Sequence, residues 1–97
     1  MLRHVTLFTW SDADDERRRA TTLAAIRRLP DLVGGMTSFA VGDDLGLREG
    51  NAHTAVVADF PDTGAYLRYA QHPEHQAVIA EHITPYLAAR TSVQYEV

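Results

Sequence analysis

Polar and apolar residues alternate through residues 2–10, with Val5, Leu7 and Thr9 on one side of an extended chain and His4, Thr6, Phe8 and Trp10 on the other. That period of two predicts a strand. Ser11 and Asp12 can then cap a helix whose first turns hold Asp14, Asp15 and Glu16, the sign that a helix N-terminus favours. The helix is predicted to run to about residue 29. Ala20, Leu23, Ala24 and Ile26 form its apolar stripe, Arg17, Arg18, Arg19, Arg27 and Arg28 fall mostly outside it, and Pro30 with Gly34-Gly35 ends it. A short strand over 36–41 leads into GDDLGLREGN, whose glycines, acids and asparagine read as an exposed connection, and residues 53–60 form a third strand. After Pro61, with Asp62 or Thr63 as a cap, a short helix over 65–70 is interrupted by Gln71-His72-Pro73. Helix resumes over 74–87 with Val78, Ile79, Ile83 and Leu87 at helical spacing, bent or ended by Pro85, and residues 91–97 alternate as a fourth strand.

The order β-α-β-β-α-β is the split βαβ of ferredoxin-like α+β domains, so a four-stranded antiparallel sheet with helices on one face is expected. The other face then needs a cover. Val5, Leu7, Ala55, Val57, Val93 and Tyr95 are apolar strand positions suited to it, and a homodimer formed by sheet-to-sheet packing is the expected solution. Periodicity leaves open which face of each strand meets the helices. At 97 residues and 45% hydrophobic content, one domain over 1–97 is expected.

Composition narrows the chemistry. Nine basic residues, all arginine, against thirteen acids give a net charge of −4, which argues against a nucleic-acid partner. With no cysteine and no lysine, thiolate nucleophiles, disulfides, cysteine zinc modules, Schiff bases and the usual phosphate-loop nucleotide site are excluded. No stretch of eighteen apolar residues occurs and the start has no signal-peptide core, so a soluble, cytoplasmic protein without a membrane partner is expected.

Five histidines remain, and three groups converge in YAQHPEH: Tyr69, His72 and His75, spaced three apart as neighbours on a helical surface. An aldol closure needs a base near neutral pH to take a proton from carbon between two carbonyls, which suits a neutral imidazole, and a held phenol O–H can stabilise the resulting oxyanion. His75 is the candidate base and Tyr69 the candidate donor. The plainer readings are that His72-Pro73 is helix punctuation, that His75 is a half-buried histidine tied to a carbonyl, that Tyr69 is core, and that His4 and His53 pair across strands. His72, His75 and His82 lack an i, i+4 pair and a completing carboxylate, so no metal site is expected.

RHVTLFTW, GDDLGLREG, HTAVVADF, YAQHPEH and SVQYEV, in this order from His4 to Val97, resemble the stress-responsive dimeric α/β-barrel (Dabb) family. The resemblance implies a ferredoxin-like dimeric α/β barrel. Its olivetolic acid cyclase branch folds a linear poly-β-keto thioester by intramolecular aldol condensation, without metal or organic cofactor, through a Tyr-x-x-His-Pro-x-His stretch. Carried over residue by residue, that implies catalytic roles for Tyr69 and His75 and substrate-binding roles for His4, His53 and His72, with a small apolar or polyketide-like ligand. The chain departs from the cyclase at Gln94, where the cyclase has an acidic residue on its last strand, and in Ala70-Gln71, which replace bulky aliphatics. Two alternatives stand beside the cyclase reading. One is a non-enzymatic, stress-responsive or small-molecule-binding dimer; the other is a cofactor-independent monooxygenase, suggested by Trp10, although Asn51 falls in a loop and the monooxygenase signature is absent.

Overall fold

The computed structural model describes residues 1–12 and 15–97. The first strand, β1 (Leu2–Trp10), is central in a sheet that also contains β2 (Ser38–Asp43), β3 (Thr54–Phe60) and β4 (Leu87–Glu96), in the order β2-β3-β1-β4. All three pairings are antiparallel, with Val5 opposite both Val57 and Val93. Helices α1 (Glu16–Arg27) and α2 (Leu29–Leu32) join β1 to β2, and α3 (Thr63–Gln71) and α4 (Pro73–Val78) follow β3. The result is the ferredoxin-like arrangement.

Alternation along β1 decides the two faces. Thr6, Phe8 and Trp10 are buried under the helices, in a core with Ile26, Leu29, Val56 and Phe60, while Leu7 on the opposite face is 39% exposed. Val93 and Tyr95 are exposed as well, so the open face displays apolar side chains. Arg3 and Asp59, directly opposite in register, add a two-pronged ion pair at 2.8 and 2.9 Å, and the Arg3 fork holds the Asp59 carboxyl below the usual carboxylate range.

The first helix differs from its expected outline. Its cap is Asp15, which accepts from the Arg18 N–H at 2.7 Å, rather than Ser11 or Asp12; Asp14 lies outside the described residues. The buried stripe is Thr22, Leu23 and Ile26, and Ala20 and Ala24 are exposed. Thr22 tolerates full burial because its hydroxyl donates to the His82 carbonyl at 3.0 Å. Pro30 does not stop the helical path: it sits in the first turn of α2, where its missing N–H has no carbonyl to serve. Gly34 and Gly35, at φ 75° and 86°, then reverse the chain toward β2 in a conformation that side-chain-bearing residues rarely adopt.

The helix expected over 74–87 also breaks early. After α4 a π-helical turn, Ile79–Ile83, closes with the Thr84 N–H on the Ile79 carbonyl, and a 3-10 turn, Thr84–Tyr86, follows. Pro85 lacks the N–H that an α-helical path would need there. Strand β4 therefore begins at Leu87, four residues before its expected start, which places Arg90 in the sheet. No described helix is long and apolar enough to cross a membrane.

Candidate functional site

A rearranged hydrogen bond at the end of α3 creates the site. His72 leaves helical geometry (φ −67°, ψ 134°), Pro73 opens α4, and the Glu74 N–H is taken by His72 Nδ1 at 3.1 Å. In a continuous helix that N–H would serve the Ala70 carbonyl. The Ala70 carbonyl instead receives His75 Nδ1–H at 3.2 Å and the Gln76 amide at 2.7 Å. The His75 ring is thereby folded back over Tyr69, with centroids 4.2 Å apart. Because a carbonyl only accepts, the Nδ1 position of His75 carries a proton, so in the neutral ring Nε2 keeps the lone pair.

Strands β1 and β4 supply the opposing wall. Their register places His4 opposite Gln94, Thr6 opposite Ser92 and Phe8 opposite Arg90. The Gln94 amide donates to His4 Nδ1 at 2.8 Å, His4 Nε2–H donates to Thr6 Oγ1 at 2.9 Å, and the Thr6 and Ser92 hydroxyls lie 3.1 Å apart. Tyr66, one turn before Tyr69, packs on the His4 ring at 4.9 Å and edge-on against Phe60. Between these walls and an apolar floor that includes Phe8, Ile26, Val56 and Ile79 lies a cavity of about 330 Å³. That is the lower end of the range that small-molecule sites occupy, roughly 300–1,000 Å³.

Burial sets the protonation states. Desolvation lowers the pKa of the half-buried His75, and the Arg90 guanidinium and His72 add to the shift, against the Ala70 carbonyl, which favours the protonated ring. Desolvation also lowers that of His4, with His75 and Arg90 pushing the same way. Tyr69, 4% exposed, has its pKa raised by burial first and by Tyr66 second, so it stays a phenol. A neutral imidazole with a free nitrogen lone pair beside a phenol O–H is a base and donor set of the kind that moves a proton at a carbonyl compound.

The structure thus brings His4, Tyr69 and His75 to one cavity and leaves His53 and His72 away from it. His53 Nδ1 accepts from the Trp10 backbone N–H at 3.0 Å, and His72 is spent on capping α4. Trp10 is a core residue: its indole N–H donates to Thr54 at 2.8 Å, and the Thr54 hydroxyl donates to Asp43 at 2.7 Å. Asn51 bonds Asp44 in the loop. Tyr66, Arg90 and Ser92 line the cavity without having been singled out in the sequence. The i, i+3 spacing of Tyr66 and Tyr69 and the alternation of Ser92 with Gln94 were available, but Arg90 becomes visible only once β4 is started at Leu87. Among the described residues no three His, Asp or Glu side chains gather as a metal-binding group.

The chain belongs to the stress responsive A/B barrel (Dabb) domain family, whose pattern matches residues 2–97. A dimeric ferredoxin-like protein of unknown function from Thermobifida fusca is similar, with 36% identity and a TM-score of 0.91 over 99% of this chain and 90% of that one. Hydroxynitrile lyase from Passiflora edulis shares the fold at 17% identity and a TM-score of 0.87, over 99% and 92% of the two chains. So does an antibiotic biosynthesis monooxygenase, at 13% identity and a TM-score of 0.76, over 100% and 98%. No curated protein sequence matches the chain.

Two imidazoles held neutral make stability depend on pH. Both folded pKa values lie below the unfolded reference of about 6.5, so in mild acid the unfolded chain binds more protons than the folded one. Their contribution is complete above about pH 6.5 and is lost as the pH falls from there through the lowered folded values. Urea unfolding from about pH 8 to 5 should show this decline, and a His4→Gln/His75→Gln double variant should lose part of the slope. A slope identical in both proteins would contradict the assignment.

Proposed function

We propose that the chain is a cofactor-free enzyme of the polyketide-cyclase type, which closes a ring in a poly-β-keto compound by an intramolecular aldol-type reaction. The observation that carries this reading is the His75 ring, tied through Nδ1 to Ala70 and 4.2 Å from the Tyr69 ring at the cavity of about 330 Å³. His75 Nε2 takes a proton from a methylene between two carbonyls, where the acidity is already high. The carbanion attacks a second carbonyl carbon of the same chain, a carbon–carbon bond forms, and the carbonyl electron pair moves to oxygen. Tyr69 donates its proton to that alkoxide and recovers one from the His75 imidazolium. The C–H is thus exchanged for an O–H with both side chains restored. The raised pKa of Tyr69 suits a donor and the lowered pKa of His75 suits a base that is free at neutral pH. The Passiflora edulis protein, named as a lyase, supports an enzyme on this scaffold.

His4 belongs to the substrate wall in this reading, its ring held by Gln94 and Thr6. Gln94 orients His4 without the charge that a carboxylate would bring. His53 and His72 act as structural residues through their backbone hydrogen bonds.

The reading includes a homodimer through the open sheet face. Leu7, Val93 and Tyr95 are exposed there at 39%, 54% and 47%, and the Thermobifida fusca relative is described as dimeric. Burying such a face in a second copy removes apolar surface from water at about 25 cal/mol per Å².

In assays with linear 3,5-diketo thioesters and their free acids, His75→Ala should lower kcat/KM by about 10²–10⁴-fold and Tyr69→Phe by about 10²–10³-fold, with circular dichroism unchanged. A fully active His75→Ala protein would sink the assignment. Compounds bound and released unchanged would favour the binding protein, and dioxygen uptake would favour the monooxygenase. Sedimentation should give a dimer for the wild type and a monomer for Val93→Glu; a monomeric wild type would exclude the sheet-to-sheet dimer.

A further inference from the structure

The cavity differs in charge from the rest of the chain. Thirteen acids outnumber nine arginines overall, yet no Asp or Glu lines the cavity, and the Arg90 guanidinium is the one formal charge among its lining residues. Arg90 is placed there by register. It stands opposite Phe8 on the helix side of β4, in line with Ser92 and Gln94, so that one strand face presents a cation, a hydroxyl and an amide in succession.

Arg90 is the one arginine among the lining residues of the cavity, and three of the others are engaged elsewhere. Arg3 forks onto Asp59, Arg19 lies 3.6 Å from Asp43, and Arg18 covers the Tyr86 ring at 4.5 Å. Arg90 has no ion pair or ring contact among the described residues, while its field reaches both cavity imidazoles. Arg90 is solvent-exposed at the edge of the cavity, and with no competing acid among the lining residues it favours an anionic ligand over a neutral one that would cover the charge without neutralising it. Its planar fork matches the two oxygens of a carboxylate.

We propose that Arg90 is the specificity-determining residue of the cavity and that the ligand is a free organic carboxylate, a keto acid with an aromatic or polyketide skeleton. The carboxylate pairs with Arg90, the carbon skeleton lies on the apolar floor, and the ketone faces Tyr69 and His75. A thioester, which carries no charge at that end, gains nothing from Arg90, so the chain acts on the acid. This rests on the cavity being the reaction site proposed above and adds to it the class of compound.

The probes are 4-oxo-4-phenylbutanoate and its methyl ester, stable compounds with one skeleton that differ in charge. Binding is followed through the His75 side-chain NMR signals in the wild type, Arg90→Gln and Arg90→Lys. The acid should bind the wild type about tenfold or more tightly than the ester, as expected for a hydrogen bond to a charged group. Arg90→Gln should bring the acid down to the affinity of the ester and leave the ester unchanged, with Arg90→Lys between. Bound acid should also raise the His75 pKa, because the carboxylate cancels the neighbouring cation. An ester that binds as tightly as the acid, or an acid indifferent to Arg90→Gln, overturns the Arg90 assignment and leaves the cavity as the site. If neither compound perturbs His75 in the folded wild type, both readings fall.

Discussion

Strand β1 hydrogen-bonds along both edges, and its alternation divides the molecule in two. Even-numbered side chains from His4 to Trp10 meet the helices, and odd-numbered ones meet whatever lies on the far side of the sheet. A one-residue slip would exchange the two sets. Several features hold the register: the Arg3–Asp59 fork on one face, and on the other the Trp10–Thr54–Asp43 chain, which ties β1 to β3 and β2. The same register puts His4, Thr6 and Phe8 against Gln94, Ser92 and Arg90, so the chemistry-bearing wall of the cavity is a by-product of the pairing that builds the core.

The opposite wall comes from a defect in helical geometry. A continuous helix through residues 63–78 would satisfy the Ala70 carbonyl with the Glu74 N–H and leave the His75 ring without that anchor. His72 takes the N–H away, and Pro73 prevents the helix from closing over the gap. The freed carbonyl then fixes one tautomer of His75. A histidine whose one nitrogen is pinned and whose other is free loses little orientational freedom when it acts on a bound molecule.

Much of this was legible in the chain. The order of strands and helices along the chain and the two sets of side chains on β1 followed from the hydrophobic pattern, though not which set meets the helices, and YAQHPEH marked the helix break. Other features depended on partners distant in sequence. Thr22 is buried because the His82 carbonyl, sixty residues on, accepts its hydroxyl, and no local pattern encodes that. The early end of the second helical segment hid four residues of β4, and with them the place of Arg90. His53 looked like a match for His4 on a neighbouring strand. Yet His4 stands opposite Ala58, and His53 lies just before β3 against the end of β1, where the Trp10 N–H takes its ring nitrogen.

Fold, cavity and electrostatics meet in one small group of atoms: the Ala70 carbonyl, the His75 imidazole and the Tyr69 phenol. The family to which the chain belongs leaves the activity open, because a hydroxynitrile lyase and an antibiotic biosynthesis monooxygenase share its architecture. The proposed reaction turns on the state of His75, and long-range ¹H–¹⁵N correlation of the histidine rings reports it directly. At pH 7 His75 should be neutral with its proton on Nδ1. A cationic ring, or a neutral ring protonated on Nε2, would remove the base on which the account rests.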